Sequence, residues 1–436
     1  MKETPKKISL FLKIIISLVI IFIISGIIWK IQINKKTAAI EWIESQQGSI
    51  TFKDPEWLNK FPAFSHELAL YLAGKDVSSV SLANENLENA PLIKNLNSIT
   101  DLDISYNKFK SLEEFKDLVN IESLRLASTD IKDLNPIKNF TRLKSLDIQY
   151  NEISDITVFN NFTELESLQI NDTKVIDISS LSNCPKLETF AMENCSISDL
   201  EPIRKAINLK WLNLKGTKIE NIEVLKNHRE LIDLNLSLTK VDSIQSLQNS
   251  QKLNDLYLSK TLVDDISVVS NMPKLRYLYI DDTEVKDLSA LKQLRNLDIV
   301  NANNTKVGSI NALTDIIELN SLYINNTNIK DITSLKNLKK LEQLHLNNTK
   351  VLDFSVLPNL TGLRVLELSK TEFQNTDLLK TLTDLENLNL DGTKVTDISP
   401  LKHLKRLKRL ELRDCSITKE QKEELKKELP ELAIFY

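Results

Sequence analysis

A 22-residue unit recurs sixteen times without insertion from Val77 to Glu428, and it constrains this chain more than any other property. In the copy LEQLHLNNTKVLDFSVLPNLTG (341–362) the apolar positions are 1, 4, 6, 11, 14, 17 and 20, with Thr349 at position 9. Position 1 opens as Val77, Ile99 and Ile121 and is then Leu in every copy from Leu143 to Leu407. A fixed period of roughly 20–29 residues means stacked coils, because a unit that short cannot bury its apolar face alone. The 436 residues are therefore not read as two or three ordinary globular domains.

Each column of the repeat has a physical reading. Positions 4 and 6 are two apart and face inward from a strand, while 14, 17 and 20 are three apart, as on a tight helical turn. Position 13 is Asp, Asn or Ser in every copy from Ser111 to Asp397, where such side chains cap free backbone N–H groups ahead of the turn. Pro136, Pro202 and Pro400 follow three residues later, where a helix start tolerates proline. Position 9 is mostly Thr (Thr129, Thr173, Thr217 through Thr393), with Asn107 and Asn151 early, as expected of polar groups that satisfy backbone at a bend. Cys195 and Cys415 share that column and Cys184 occupies position 20, so all three read as small core residues carried as thiols.

The pattern LxxLxLxxTxIxDIxxLxxL resembles the leucine-rich repeats of bacterial internalin-like proteins over about 340 residues. The resemblance implies an α/β leucine-rich-repeat solenoid, with a curved parallel sheet on the concave side and short 3-10 or helical turns on the convex side. Seventeen short parallel strands are expected. It also implies a surface protein that binds other macromolecules. There is no LPxTG-type wall-sorting motif, which leaves the N-terminus as the anchor.

Residues 8–29, ISLFLKIIISLVIIFIISGIIW, are uncharged and overwhelmingly apolar except for Lys13. As a helix they would reach about 33 Å, enough to cross a ~30 Å hydrocarbon core. The exit Ser25-Gly26-Ile27-Ile28-Trp29-Lys30 is a poor cleavage site, so an uncleaved signal anchor is expected. Lys2, Lys6 and Lys7 nearly balance Lys30, Lys35 and Lys36, which leaves orientation open, with Lys13 leaning toward an N-terminus inside. The organisation reads as a cytoplasmic tail (1–7), a transmembrane anchor (8–29) and a linker (30–50). A helical N-terminal cap (51–76), the repeats (77–417) and a C-terminal cap of helix plus strand (418–436) follow. In the first cap KDPEWLNKF and SHELALYLAG read as short helices whose Trp57, Phe61, Leu68, Tyr71 and Leu72 would cover the first repeat. In the second, Thr418 and Gln421 form a capping-box pattern, and Leu429, Leu432 and Ile434 return to the 22-residue register.

Overall charge is −4, but residues 1–36 hold seven Lys and one Glu, so the remainder is net −10. An acidic body argues against nucleic acid as a partner. His66, His228, His345 and His403 fall in unrelated columns, and there is no Gly-rich phosphate loop, GxSxG or Cys–His pairing. Neither an enzyme, a cofactor nor a metal is expected. The basic run Lys402, Lys405, Arg406, Lys408, Arg409 and Arg413 reads as a solvated face.

One departure from the repeat bears on function. The strand positions facing solvent, 3 and 5, are small or polar in the early copies (Ser79, Ser81, Asp101, Asp103, Ser123, Ser145, Ser167). From the seventh copy they become Trp211, Tyr257, Tyr277, Tyr279, Ile299 and Tyr323, with His345 one copy on. Strands lie ~4.8 Å apart, so most of these residues are expected to form one contiguous patch that binds a protein or a surface glycan. The alternative is that cross-strand aromatic pairs stabilise the sheet. Ala302 and Val300, small for positions 6 and 4, are expected to dent or flatten the sheet nearby. The whole reads as a single-pass cell-membrane protein with an extracellular repeat domain. An intracellular tethered scaffold and a secreted, cleaved form are the alternatives.

Overall fold

A computed structural model describes residues 10–53 and 76–436, with side chains from Ile14 onward. The tail 1–7 and the two cap helices expected between Asp54 and Gly74 lie outside the described residues. The chain divides into two compact units, Met1–Leu165 and Glu166–Tyr436.

In the first unit, helix α1 runs unbroken from Leu10 to Ser45, straight through the stretch expected to be a linker. The reason is packing: Ala39, Ile40 and Ile43 are buried, and Lys36 Nζ reaches Asp76 Oδ1 at 2.7 Å. From Ile14 to Ile31, by contrast, the helix is bare, an apolar surface with no protein over it. The helix stops at Gln47, left-handed at φ 61°, and the Gly48 N–H donates back to the Ile43 carbonyl at 3.0 Å. A Cβ on Gly48 would lie 2.7 Å from Leu82 and 2.8 Å from Ile43, so only glycine fits between the helix and the first repeat. Strand β1 (Ser49–Phe52) then pairs antiparallel with β2 (Val77–Ser81), an addition to the sheet that the periodicity does not contain because it precedes the repeats. From β2 the sheet continues in parallel through β3 (Asp101–Asp103), β4 (Ser123–Arg125) and β5 (Ser145–Asp147).

The second unit is the same coil repeated: thirteen parallel strands, from β6 (Ser167–Gln169) to β18 (Ala433–Phe435), each paired with the next. Short 3-10 turns return the chain on the opposite side, as the three-residue spacing of positions 14, 17 and 20 requires. The apolar columns form the core. In one copy Leu275, Leu278, Ile280, Val285, Leu288, Leu291 and Leu294 are all at most 1% exposed. The position-13 side chains do cap, as Asx turns: each accepts from the backbone N–H two residues on, for example Asp177 from Ser179 at 2.8 Å and Asp331 from Thr333 at 2.8 Å. The position-9 threonines donate to the carbonyl three residues back, as Thr283 does to Ile280 at 2.6 Å. Asn107 and Cys195 reach further, to carbonyls of the preceding coil at Leu82 (2.7 Å) and Ile170 (3.1 Å). All three cysteines are thiols, and burial pushes that of Cys184 up to about 12.

Two local features differ from expectation, and a third lies outside what the columns were read for. Ala302 and Val300 are fully buried, and the Ala302 N–H still donates to the Tyr323 carbonyl at 2.8 Å, so the ladder carries no dent. The last strand pairs Leu410 with Ile434 and Arg409 with Ala433, a shift of 24 residues rather than 22. The cause is helix α2 (Lys419–Glu428), closed by the expected Thr418/Gln421 capping box, which uses two more residues than a 3-10 turn. Finally, position 8 is left-handed in all sixteen copies, from Asn84 (φ 65°) to Asp414 (φ 58°). Asn, Asp and Gly fill ten of these sites, and their recurrence was the sequence signal for it.

Candidate partner-binding surface

The exposed face of the second unit's sheet is built from two columns. Position 3 runs Trp211, Asp233, Asp255, Tyr277, Ile299, Ser321, Gln343, and position 5 runs Asn213, Asn235, Tyr257, Tyr279, Asn301, Tyr323, His345. Parallel register sets each residue beside the one 22 later: Tyr257 beside Tyr279, Tyr277 beside Ile299, Tyr323 beside His345. These side chains are half-buried rather than standing free in water, because each packs on its neighbour. The Tyr257 and Tyr279 rings stack, with centroids 5.0 Å apart and planes at 15°. Tyr323 lies 4.5 Å from His345 and donates its hydroxyl to Gln343 Oε1 at 2.8 Å. Burial raises Tyr257 to about 12, and it lowers His345 to about 4, so the imidazole is neutral at pH 7. Its Nε2 is buried without a hydrogen-bond partner.

The expected patch is therefore two aromatic pairs, Tyr257/Tyr279 and Tyr323/His345, separated at position 5 by Asn301, with Tyr277 and Ile299 alongside. Trp211 is not contiguous with them. It is 45% exposed and stands three strands away from Tyr277, with Asp233 and Asp255 on the two strands in between. The sequence reading passed over these two acids, although they occupy the same column as the aromatics. They sit directly opposite one another on adjacent strands, and burial followed by the neighbouring Asp255 charge pushes Asp233 up to about 6. Along the flank, the Arg276 guanidinium lies 5.1 Å over the Tyr277 ring while bonding Asp298 at 2.6 Å.

The basic run near the C-terminus is engaged within the chain: Arg406 with Asp384, Lys408 with Glu386, Arg409 with Glu411, and Arg413 with Asp391. His228 is fully buried at position 20, its Nε2 3.2 Å from the Ile203 carbonyl. Among the described residues no group of three or more His, Cys, Asp and Glu is placed to hold a metal ion.

A coil of strand, left-handed bend, Asx turn and 3-10 segment, repeated at 22 residues, defines a leucine-rich-repeat protein. The comparisons agree. The family profile described as Leucine Rich repeats (2 copies) matches residues 119–161 and 317–359. No curated protein matches the sequence significantly. Among solved structures, an internalin from Listeria monocytogenes (InlF) is similar at 24% identity and a TM-score of 0.64, over 69% of this chain and 91% of that one. A leucine-rich-repeat protein of Leptospira interrogans matches at 21% and 0.75, over 82% and 95%. The ectodomain of the plant membrane receptor kinase GASSHO1/SCHENGEN3 from Arabidopsis thaliana, in complex with CASPARIAN STRIP INTEGRITY FACTOR 2, matches at 18% and 0.63, over 83% of this chain and 48% of that one. The chain is an internalin-like leucine-rich-repeat protein in fold, with an N-terminal apolar helix long enough to be a membrane span or a signal sequence.

Proposed function

We propose that this protein is anchored in the cell membrane through residues 8–29 and binds another protein on the exposed sheet face of repeats 77–417, with that domain outside the cell and residues 418–436 closing its far end. The observation that carries the reading is the clustering of Trp211, Tyr257, Tyr277, Tyr279, Ile299, Tyr323 and His345 in two columns that are small or polar and hold no aromatic residue in the first six copies. Every copy has the same strand, so a strand preference for aromatics does not account for their restriction to the middle repeats. Tyrosine and tryptophan are the residues that dominate binding energy at protein interfaces. Leucine-rich-repeat proteins are typically binding scaffolds, and the plant ectodomain of similar fold was solved with a partner bound, which supports recognition over catalysis. The bare apolar surface from Ile14 to Ile31, about 27 Å long at ~1.5 Å per residue, supports a span that matches a bilayer.

Two experiments test this. Full-length protein and the variant Tyr257→Ser/Tyr279→Ser/Tyr323→Ser are compared as baits, and the native bait should retain partners that the variant loses. Equal retention of every partner by the variant would remove the patch from consideration. Protease added to intact cells should digest the repeats, and complete protection would move the domain inside.

A further inference from the structure

The two carboxylates beside the aromatics form no ion pair, and the one side-chain donor on them is Asn254 Nδ2, which bonds Asp255 Oδ1 at 2.5 Å. Asp233 in β9 (Asp233–Asn235) and Asp255 in β10 (Asp255–Tyr257) are paired in register on adjacent parallel strands, where like charges are destabilising. Ion pairs between neighbouring coils recur along this chain, as in Lys210–Glu188 at 2.5 Å and Lys340 with Glu318, yet Asp233 and Asp255 take part in none. The closest guanidinium, Arg276, is committed to Asp298 and to the Tyr277 ring. Columns 3 and 5 hold no Lys or Arg from Trp211 to His345, and at position 7 Lys215 is bonded to Glu193 at 2.7 Å while Asp281 adds a further acid. Elsewhere the same fold places neutral side chains side by side without this cost. At position 5 of the same two strands the equivalent pair is the neutral Asn235 and Tyr257.

An acid pair without an ion-pair partner, held between Trp211 and the tyrosines, is what a cationic group would complete. Resting on the reading of this face as a protein-binding surface, we infer that its occupant is an extended peptide segment carrying arginine or lysine. The cationic side chain lies across Asp233 and Asp255, and the aromatic residues flank it. The chain shows the local chemistry already: Arg276 bridges a carboxylate and a tyrosine face in one contact, Asp298 on one side and Tyr277 on the other. The acids also disfavour the opposite class of ligand, since an acidic peptide or a sulfated glycan would meet two carboxylates that form no ion pair, with the nearby Arg276 already committed to Asp298.

The test uses full-length protein in detergent and fluorescence anisotropy of two labelled decapeptides that share tyrosines and differ only in carrying four arginines or four glutamates. A sulfated oligosaccharide serves as a third probe. The arginine peptide should bind at least tenfold tighter than the glutamate peptide, and the preference should weaken between 50 and 500 mM NaCl, as expected for screened charges. Asp233→Asn/Asp255→Asn should lose at least tenfold in affinity for the arginine peptide while melting at the same or a higher temperature. A lower melting temperature for that variant would make the acids structural and overturn the inference. So would equal binding of the glutamate peptide or of the oligosaccharide, or no binding of the arginine peptide. Loss of peptide binding in Tyr257→Ser/Tyr279→Ser with full retention in the Asn variant would overturn the cationic preference alone and leave the protein-binding surface standing.

Discussion

Leu278 and Tyr279 are chain neighbours on one three-residue strand, and replacing each by serine separates what the two faces contribute. Leu278 is fully buried between Leu256 and Val300 of the adjacent strands. Truncating a buried leucine costs about 3–5 kcal/mol, and a hydroxyl with no partner adds about 1–3 more. We expect Leu278→Ser to destabilise by roughly 5 kcal/mol and to open the coils around it, since each coil leans only on its neighbours. Tyr279 is half-buried, and its main contact is the Tyr257 ring at 5.0 Å. Such a pair contributes about 0.5–1.5 kcal/mol beyond its buried area, so Tyr279→Ser should cost roughly 1–2 kcal/mol. The assay is urea unfolding of the detergent-solubilised full chain followed by far-UV circular dichroism, with a double-mutant cycle on Tyr257 and Tyr279. The cycle should return a coupling of about 0.5–1.5 kcal/mol. Equal costs for Leu278→Ser and Tyr279→Ser would mean the tyrosines are part of the core. A coupling near zero would mean the stack does not persist in solution.

Acidification should weaken the fold around His345. Its folded pKa is lowered to about 4 by burial against an unfolded value near 6.5, so its contribution is complete above pH 6.5 and is lost as pH falls toward 4. Discounted for partial exposure this is on the order of 1–2 kcal/mol, and His345→Phe should flatten the melting temperature across that window. Asp233 has the opposite sign: raised to about 6, it makes the fold more stable as pH falls from above 6 toward 4, and Asp233→Asn should abolish that gain. Thiol titration of denatured, unreduced protein should count three, while in the native protein Cys184 should stay unreactive because burial holds its thiol protonated. Leu238 is left-handed at φ 60° and 48% exposed, so Leu238→Asn should raise stability by about 0.5–1 kcal/mol, and a drop in melting temperature would contradict that reading.

The 22-residue period was sufficient to derive the coil, the strand at positions 3 to 5, the capping role of position 13 and the burial of Leu278, because alternation and three-residue spacing map directly onto faces. The aromatic columns were legible for the same reason. What one coil does to the next was not. A period states which residues share a column, but stacking of Tyr257 on Tyr279, burial of His345 beneath Tyr323 and opposition of Asp233 to Asp255 depend on side-chain packing across the ~4.8 Å between strands. The left-handed bend at position 8 is a backbone property that the side chains there only tolerate, so Tyr106 and Leu238 hid it. At the two ends the period stops and only tertiary contacts decide. Burial of Ala39, Ile40 and Ile43 carries α1 on to Ser45, and the longer path of α2 displaces the final strand by two residues, an even number that keeps each side chain on its original face of the sheet.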